Sequence, residues 1–183
     1  MENFPATLFY TIGYPGSGKT TFSLQLKRKL GLVHLYADEI GVDIFRIPKF
    51  SPQERRYLYE EMNWQAENHL KSDKGVIYDA NINSLALRNN LRSLAKRVDA
   101  IAVGLWLNTP QEIALERLRH PRRIRGVILN NLAGRNASER FYEEVTKNYT
   151  IPKRESNIIE ISGVLPFTEQ YKVFELAYKK IIG

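Results

Sequence analysis

The sequence contains no cysteine and only three histidines among its 183 residues. The lack of thiols excludes disulfide bridges, thiolate zinc sites and cysteine nucleophiles. Three histidines are also a small supply for a histidine metal cluster. Stability therefore has to come from the packed core, and any catalysis from oxygen or nitrogen groups.

Long hydrophobic runs are lacking as well. The longest apolar run covers residues 100–107, which is far below the roughly 20 residues that a membrane helix needs. The start, Met1-Glu2-Asn3, shows neither the basic region nor the apolar region of a signal peptide. We therefore expect a cytoplasmic protein without a membrane partner.

The charge balance is basic, with 27 Lys and Arg against 20 Asp and Glu and a net charge of +7. Such a balance favours an anionic partner, for example a nucleic acid or a phosphorylated metabolite. A solvated basic surface fits equally well, because net charge does not locate a binding face. With 43% hydrophobic and 26% charged residues, the composition predicts one globular domain over residues 1–183.

One segment near the start fits G-x-x-x-x-G-K-[ST] at every required position. In such a phosphate-binding loop, or P-loop, successive backbone N–H groups bind phosphate oxygens, the lysine reaches the terminal phosphates and the hydroxyl is placed for Mg²⁺. An apolar run before it and an amphipathic helix after it make a chance match improbable. The predicted ligands of a nucleoside triphosphate are Gly13, Tyr14, Pro15, Gly16, Ser17, Gly18, Lys19, Thr20 and Thr21.

Apolar runs and helical periodicities alternate along the rest of the chain. Capping boxes at Ser51-Pro52-Gln53-Glu54 and Thr109-Pro110-Gln111-Glu112 are predicted to start two of the helices. Alternating strands and helices indicate a parallel sheet with helices on both faces. The predicted strands cover residues 7–12, 33–36, 76–79, 100–107 and 158–161, and the predicted helices 20–30, 52–71, 84–98, 109–118, 138–149 and 168–182.

Two carboxylates follow predicted strands at the edge where α/β sheets bind ligands. Asp38 is the candidate general base that accepts the proton of an acceptor hydroxyl, and the alternative is a cap for a helix beginning near Glu39. Asp79 ends the third strand, as does the acid that holds the Mg²⁺ shell in P-loop proteins, although an aspartate there also suits a turn. Asn81 and Asn83 are candidates for positioning substrate, or turn formers.

Basic residues crowd two other segments. Five arginines between residues 117 and 125 predict a lid that closes over a triphosphate, with an exposed basic helix end as the alternative. A second set could bind an acceptor through charge and stacking, but its aromatic residues at helical spacing are more typical of core packing. The two sets are Arg117, Arg119, Arg122, Arg123 and Arg125, and Arg46, Lys49, Arg55, Arg56, Tyr57, Tyr59 and Trp64.

Together, these motifs resemble the P-loop kinases often called predicted kinases. They are AAA-type ATP-binding proteins that include polynucleotide 5′-hydroxyl kinase domains and, more distantly, zeta toxins. The resemblance implies a three-layer P-loop NTPase fold with five parallel strands in the order 2-3-1-4-5 and an arginine-rich lid at about residues 119–137. It is carried by GYPGSGKTT, LYADEI, VIYDAN followed by Arg88, and LNTPQEIALERL.

The resemblance also implies a reaction, in which Mg²⁺-ATP donates its γ-phosphoryl group to an acceptor hydroxyl. Lys19, Asp38 and the lid arginines Arg119, Arg122 and Arg123 match catalytic positions, and Thr20 and Asp79 match metal positions. Polynucleotide kinases carry an arginine three residues after the base, where this chain has Gly41. The acceptor is therefore left open among a polynucleotide 5′-hydroxyl, a nucleotide and another small anionic metabolite.

Two other functions share the same motif. One is an ATPase or nucleotide-binding module without a phosphate acceptor, and the other is a kinase that resembles zeta toxins. A GTPase is disfavoured because the chain has no N-K-x-D guanine signature. The sequence gives no indication of the oligomeric state.

Overall fold

The computed structural model describes residues 5–49, 51–119 and 142–183, together with the backbone of 123–124 and 127–128. Residues 142–146 are also helical. The strands are β1 Thr7–Ile12, β2 Val33–Tyr36, β3 Val76–Asp79, β4 Ile101–Asn108, β5 Arg123–Ile124, β6 Val127–Ile128 and β7 Ile158–Ser162. The helices are α1 Lys19–Leu30, α2 Ala37–Phe45, α3 Pro52–Leu70, α4 Leu85–Arg97, α5 Gln111–Leu118 and α6 Phe167–Ile182.

Five parallel strands form the main sheet in the spatial order β2-β3-β1-β4-β7. The central strand β1 pairs with β3 on one side and with β4 on the other, so that Leu8 lies between Val76 and Ala102. Counted along the chain, this is the predicted order 2-3-1-4-5, which is confirmed. Because the strands are parallel, their carboxyl ends meet at one edge, and this edge carries the candidate site.

The core lies on both faces of the sheet. Alternate residues of β1 point to opposite faces, as the pleat requires. Leu8, Tyr10 and Ile12 pack in one cluster that includes residues of α3 and α4. Phe9 packs in a second cluster with residues of α1 and α6, among them Phe22. The result is the predicted arrangement of three layers, helix on sheet on helix.

The first predicted capping box is confirmed, and the second is wrong. Ser51 and Glu54 exchange side-chain and backbone hydrogen bonds at the start of α3. Helix α5 instead begins at Gln111 after Pro110, with no side-chain cap. The Thr109 hydroxyl donates to the Ser17 backbone oxygen, 2.9 Å away. This buried hydroxyl thus contacts the P-loop rather than capping its own helix.

The last two sequence-predicted helices differ in how far the structure describes them. Helix α6 begins one residue before the predicted start, at Phe167. Of the helix expected over residues 138–149, positions 142–146 are helical, and 138–141 lie outside the described residues. Within the described part of the chain, none of the helices combines the length and the apolar composition that a bilayer crossing requires.

Candidate active site

The P-loop, residues 13–20, runs from the end of β1 into α1 in a conformation that requires glycine. Gly16 has φ 81°, and a Cβ atom there would lie 2.1 Å from the Ala114 backbone oxygen. Gly18 is the N-cap of α1, with φ 98°. The loop is therefore held tightly against α5, and the N-terminal end of α1 faces the same concavity, as anion binding requires.

Hydrogen bonds within the P-loop and to a neighbouring loop hold its shape. The Lys19 ammonium donates to the Gly13 and Tyr14 backbone oxygens at 2.8 and 2.9 Å. The Ser17 N–H donates to the Tyr14 oxygen at 3.0 Å, and the Gly13 N–H donates to Asn83 Oδ1 at 3.0 Å. Two of the amides in this loop are thus already engaged with protein oxygens.

Asn83 contributes to the loop rather than to an open surface. Its side chain is buried, it accepts the Gly13 N–H, and its own amide nitrogen donates to Asn81 Oδ1. The Asn83 backbone oxygen accepts from the Arg88 guanidinium at 2.8 Å. Asn83 therefore ties the β3–α4 connection to the first residue of the P-loop.

A buried ion pair supports this connection from behind. Arg88 is fully buried, and its Nε donates to the Glu155 carboxylate at 2.9 and 3.1 Å. Arg92 donates to the same carboxylate. Burial opposes ionisation of Glu155, but the hydrogen bonds from the two arginines outweigh it and hold the pKa of Glu155 below its ordinary value.

A cavity of about 580 Å³ opens beside the P-loop. Its walls are the P-loop with the first turns of α1, Arg117 at the end of α5, residues 163–166, which connect β7 to α6, and Phe167 at the start of α6. Arg117 Nη1 donates to the Gly163 oxygen at 3.0 Å. This volume lies within the usual range for small-molecule sites.

Gly163 lies at the back of this cavity, in a position where any side chain would collide with its neighbours unless they moved. A Cβ atom there would lie 1.9 Å from Thr109 Oγ1 and 2.3 Å from the Ser17 backbone oxygen. The ends of β4 and β7 are thus pressed against the P-loop. Gly163 was not among the residues predicted from the sequence, where the signal for it was a glycine directly after the last strand.

Asp38 lies in the first turn of α2. This helix begins at Ala37 with Tyr36 as its N-cap and without a side-chain cap, so the alternative interpretation of Asp38 as a cap is wrong. The Tyr36 hydroxyl instead donates to Asp38 Oδ2 at 2.9 Å. The Asp38 carboxylate is partly exposed at the carboxyl edge of the sheet.

Asp79 ends β3 and is 2% exposed. The Thr11 hydroxyl donates to its Oδ1 at 3.2 Å, and His34 Nε2 lies 3.0 Å from its Oδ2. Thr20 in the P-loop supplies a hydroxyl and Asp79 supplies a carboxylate as possible ligands of a metal ion. These few oxygen ligands fit Mg²⁺, which is held by one or two protein oxygens together with water and phosphate.

The lid arginines are described only in part. Arg119 follows α5 and pairs with Glu116, three residues earlier. Arg122, Arg125 and the side chain of Arg123 lie outside the described residues. The backbone of β5, which includes Arg123, lies against α2, the helix that carries Asp38. The described arginine nearest to the P-loop is Arg117. The sequence predicts it as part of the arginine cluster, but not as one of the catalytic lid arginines.

Three tyrosines pack beside the P-loop. The Tyr14 ring lies 5.1 Å from Tyr142 and 4.6 Å from Tyr149, centroid to centroid. Burial is the main reason that the pKa of Tyr149 rises to about 12, and it raises the pKa of Tyr142 as well. Both phenols are therefore neutral near pH 7, and the cluster joins the P-loop to the segment after residue 141.

The basic and aromatic segment at the start of α3 divides into two parts. Tyr59 packs against the core, as the packing alternative predicts. Tyr57 and Trp64 are 53% and 63% exposed, although the Tyr57 ring meets the Phe45 ring edge-on at 6.1 Å. Burial in the core therefore does not explain these two side chains. Arg56 forms an exposed pair with Glu60, and such pairs contribute little to stability.

The sequence is similar to proteins of known family. Residues 8–144 match a family described as an AAA domain. The L-seryl-tRNA(Sec) kinase of Methanococcus maripaludis is 25% identical over 142 residues, which cover 76% of this chain and 54% of the relative. This chain thus spans about half the length of that curated relative.

The fold is similar to that of solved P-loop kinases. The APS kinase of Mycobacterium tuberculosis, solved in complex with AMPPNP and APS, superposes with a TM-score of 0.71 at 16% identity and covers 96% of this chain and 98% of its own. A gluconokinase from Sinorhizobium meliloti 1021 gives a TM-score of 0.68 at 14% identity and covers 98% and 94%. At these identities the likeness shows the fold.

Proposed function

The chain belongs to the AAA domain family, and from this premise we propose that it is a kinase that transfers the γ-phosphoryl group of Mg²⁺-ATP to the hydroxyl of an acceptor. The observation that carries the proposal is the P-loop with Lys19 at one wall of the 580 Å³ cavity. The fold it shares with an APS kinase and a gluconokinase supports a transferase rather than a hydrolase.

The described residues take distinct roles in the proposed reaction. The P-loop amides and the N-terminus of α1 bind the phosphates, and Lys19 exchanges its bonds to the Gly13 and Tyr14 oxygens for bonds to phosphate. Asp38 accepts the proton of the acceptor hydroxyl. The acceptor oxygen then forms a bond to the γ-phosphorus, the bond from that phosphorus to the β–γ bridging oxygen breaks, and ADP leaves.

Thr20 and Asp79 would hold Mg²⁺, which supplies positive charge against the triphosphate when bound. Arg117 provides further positive charge at the cavity wall. Arg119, Arg122 and Arg123 are proposed to complete the site from the lid, because guanidinium groups stabilise charge that develops on the transferred group. The contact of β5 with α2 supports a lid that reaches the side of the site where Asp38 lies.

The acceptor is proposed to be an anionic molecule with a hydroxyl, in line with the net charge of +7. The class includes a polynucleotide 5′-hydroxyl, a nucleotide and a small metabolite. The relative is named as a kinase of L-seryl-tRNA(Sec). Since this chain spans about half of that relative, seryl-tRNA is one acceptor to test rather than the one we favour.

The test is transfer of label from γ-labelled ATP in the presence of Mg²⁺. The acceptor panel contains 5′-hydroxyl DNA and RNA, nucleosides, sugars, hydroxy acids and seryl-tRNA. A labelled acceptor supports the kinase and names its substrate. Label released only as inorganic phosphate, at a rate that no acceptor changes, would favour a nucleotide-hydrolysing module, and absence of any nucleotide binding would exclude both.

A further inference from the structure

One buried histidine at the carboxyl edge of the sheet has no part in the reaction proposed above. The His34 side chain, in β2, is 3% exposed, and its Nε2 lies 3.0 Å from Asp79 Oδ2 on the neighbouring strand β3. The His34 ring stacks on the Tyr36 ring with centroids 5.7 Å apart and planes 7° apart. The imidazole is therefore held on one side by an aromatic neighbour and aimed at a carboxylate.

We assign His34 Nε2 as the donor in its contact with Asp79, because an ionised carboxylate only accepts hydrogen bonds. A carboxylate that is 2% exposed needs such donors, because burying an unsatisfied charge is costly. The Thr11 hydroxyl is shared between Asp79 Oδ1 and the Ala80 backbone oxygen, both at 3.2 Å. His34 lies against Oδ2 at 3.0 Å, so it is the partner of Asp79 that is not shared with another acceptor.

The hydrogen bonds from Thr11 and His34 do not use all the acceptor sites of the Asp79 carboxylate. Its two oxygens together have about four acceptor sites, and sites remain for the water shell of a metal ion. Thr11 and His34 fix the plane of the Asp79 carboxylate, and this plane determines where its remaining acceptor sites point. Partners of this kind, one shell removed from a metal, orient its ligands and tune its affinity.

We propose that His34 is a positioning residue that fixes Asp79 for the Mg²⁺ of the bound nucleotide. The inference rests on the proposed function and on the assignment of Asp79 to the metal. Packing alone needs only an aromatic ring at position 34, because the stack with Tyr36 does not use Nε2. The hydrogen-bond donor at His34 Nε2 is needed only for the contact with Asp79. Substitutions at position 34 can therefore remove the ring or the donor separately.

Two variants make this separation. His34→Phe keeps a ring next to Tyr36 and removes the donor, whereas His34→Gln removes the ring and keeps an amide donor at nearly the same reach. The readout is the dissociation constant of a non-hydrolysable ATP analogue, measured by calorimetry once with Mg²⁺ and once with EDTA. The ratio of the two constants reports the contribution of the metal, and thermal unfolding followed by circular dichroism shows that each variant is folded.

The wild type and His34→Gln are expected to bind the analogue more tightly with Mg²⁺ than with EDTA. In His34→Phe we expect this gain to fall by about 10- to 100-fold, which is the usual loss when such an orienting partner is removed. Binding in EDTA should be the same in all three proteins. General damage to the fold would instead weaken binding in both conditions.

The outcomes distinguish a failure of the proposed role of His34 from a failure of the proposed kinase function. If the wild type binds no nucleotide, the proposed kinase function is wrong. If the wild type binds the analogue equally well with Mg²⁺ and with EDTA, the assignment of Asp79 to the metal is wrong. A full gain in folded His34→Phe overturns only the role of His34. If His34→Phe does not fold, His34→Gln decides, since loss of the gain there would contradict the donor as the cause.

Discussion

Lys19 and Asp38 act on different partners in the proposed reaction, and single substitutions separate them. Lys19 serves the phosphates of the donor, whereas Asp38 serves the hydroxyl of the acceptor. We expect Lys19→Ala and Asp38→Ala both to abolish transfer, and only Lys19→Ala to weaken ATP binding strongly. Calorimetry with ATP and a transfer assay on the identified acceptor measure the two effects.

The control for the lysine is Lys27→Ala, because Lys27 is an exposed residue in the last turn of the same helix. This variant should bind ATP and transfer phosphate as the wild type does. Full transfer by Asp38→Ala would remove Asp38 from the role of general base and leave the P-loop assignment intact.

A methyl group at position 163 should disturb the P-loop from behind. In Gly163→Ala the new Cβ would collide with Thr109 Oγ1 and the Ser17 oxygen. We expect a loss of about 1–3 kcal/mol in the free energy of unfolding, as for other overpacked sites, together with weaker ATP binding. Urea denaturation and calorimetry give the two quantities.

Gly41→Ala is the matched control for this substitution. A Cβ atom at Gly41 would meet its nearest neighbours at 3.8 Å, an ordinary contact, and position 41 lies within α2. Since alanine favours a helix over glycine by roughly 1 kcal/mol, this variant should be at least as stable as the wild type. If both variants are equally stable, the residues around Gly163 accommodate the new Cβ atom without a loss in the free energy of unfolding.

Among the elements, α4 is tied to the segment after the lid by the Arg88–Glu155 pair, and this pair predicts a pH dependence. Because the pKa of Glu155 is lowered in the folded protein, folding favours its ionised form. This contribution is complete above the ordinary glutamate pKa of about 4.3 and is lost as the pH falls through the lower folded value. The wild type should thus lose stability on acidification faster than Glu155→Gln.

The measurement is urea denaturation of both proteins at several pH values between about 7 and about 3, a range that brackets the ordinary glutamate pKa. Near neutral pH the variant should be the less stable, because Arg88 is then buried without its counter-charge. The difference between the proteins should shrink at the acid end. A difference that does not vary with pH would mean that the charge on Glu155 adds nothing to the interaction.

Local patterns predicted most elements, because their causes lie within a few residues. The P-loop, the capping box at Ser51 and the strand at residues 7–12 each carry their own signal. Thr109 shows where such patterns fail, since its cap sequence is correct but its hydroxyl contacts Ser17, 92 positions away. Gly163 and His34 were missed for the same reason, because their partners lie far away along the chain. Gly163 meets Thr109 and Ser17, and His34 meets Asp79.

For the whole molecule, the proposed site predicts a response to nucleotide. A ligand that binds only the folded state at a hundred times its dissociation constant adds about 2.7 kcal/mol of stability. For a chain of this length this corresponds to a rise of roughly 5–10 °C in Tm. We expect such a rise with Mg²⁺-ATP in a thermal unfolding scan.

The size of this rise should depend on Arg117. Because Arg117 lines the cavity and donates to Gly163, Arg117→Ala should give a smaller rise at the same ATP concentration. Arg28→Ala removes an equal charge from the exposed last turn of α1 and should behave as the wild type. If neither variant differs from the wild type, the nucleotide does not occupy this cavity.

The order of the sheet was predictable only through the family resemblance, since no local pattern states which strands are neighbours. Strand β1 lies between β3 and β4, although both follow it by more than 60 residues. The lid, at about residues 119–137, stays a prediction, because only Arg119, at its first position, and the backbone of two short strands are described there.

The junction of Ser17, Thr109 and Gly163 has a consequence for the protein as it leaves the ribosome. The segment that grips phosphate is translated early, but two of the residues that press against it are added more than 90 and more than 140 positions later. Contacts between such distant positions form late in folding. A nascent chain that has emerged only as far as β4 would display the complete signature motif and still lack the rear wall of its binding pocket.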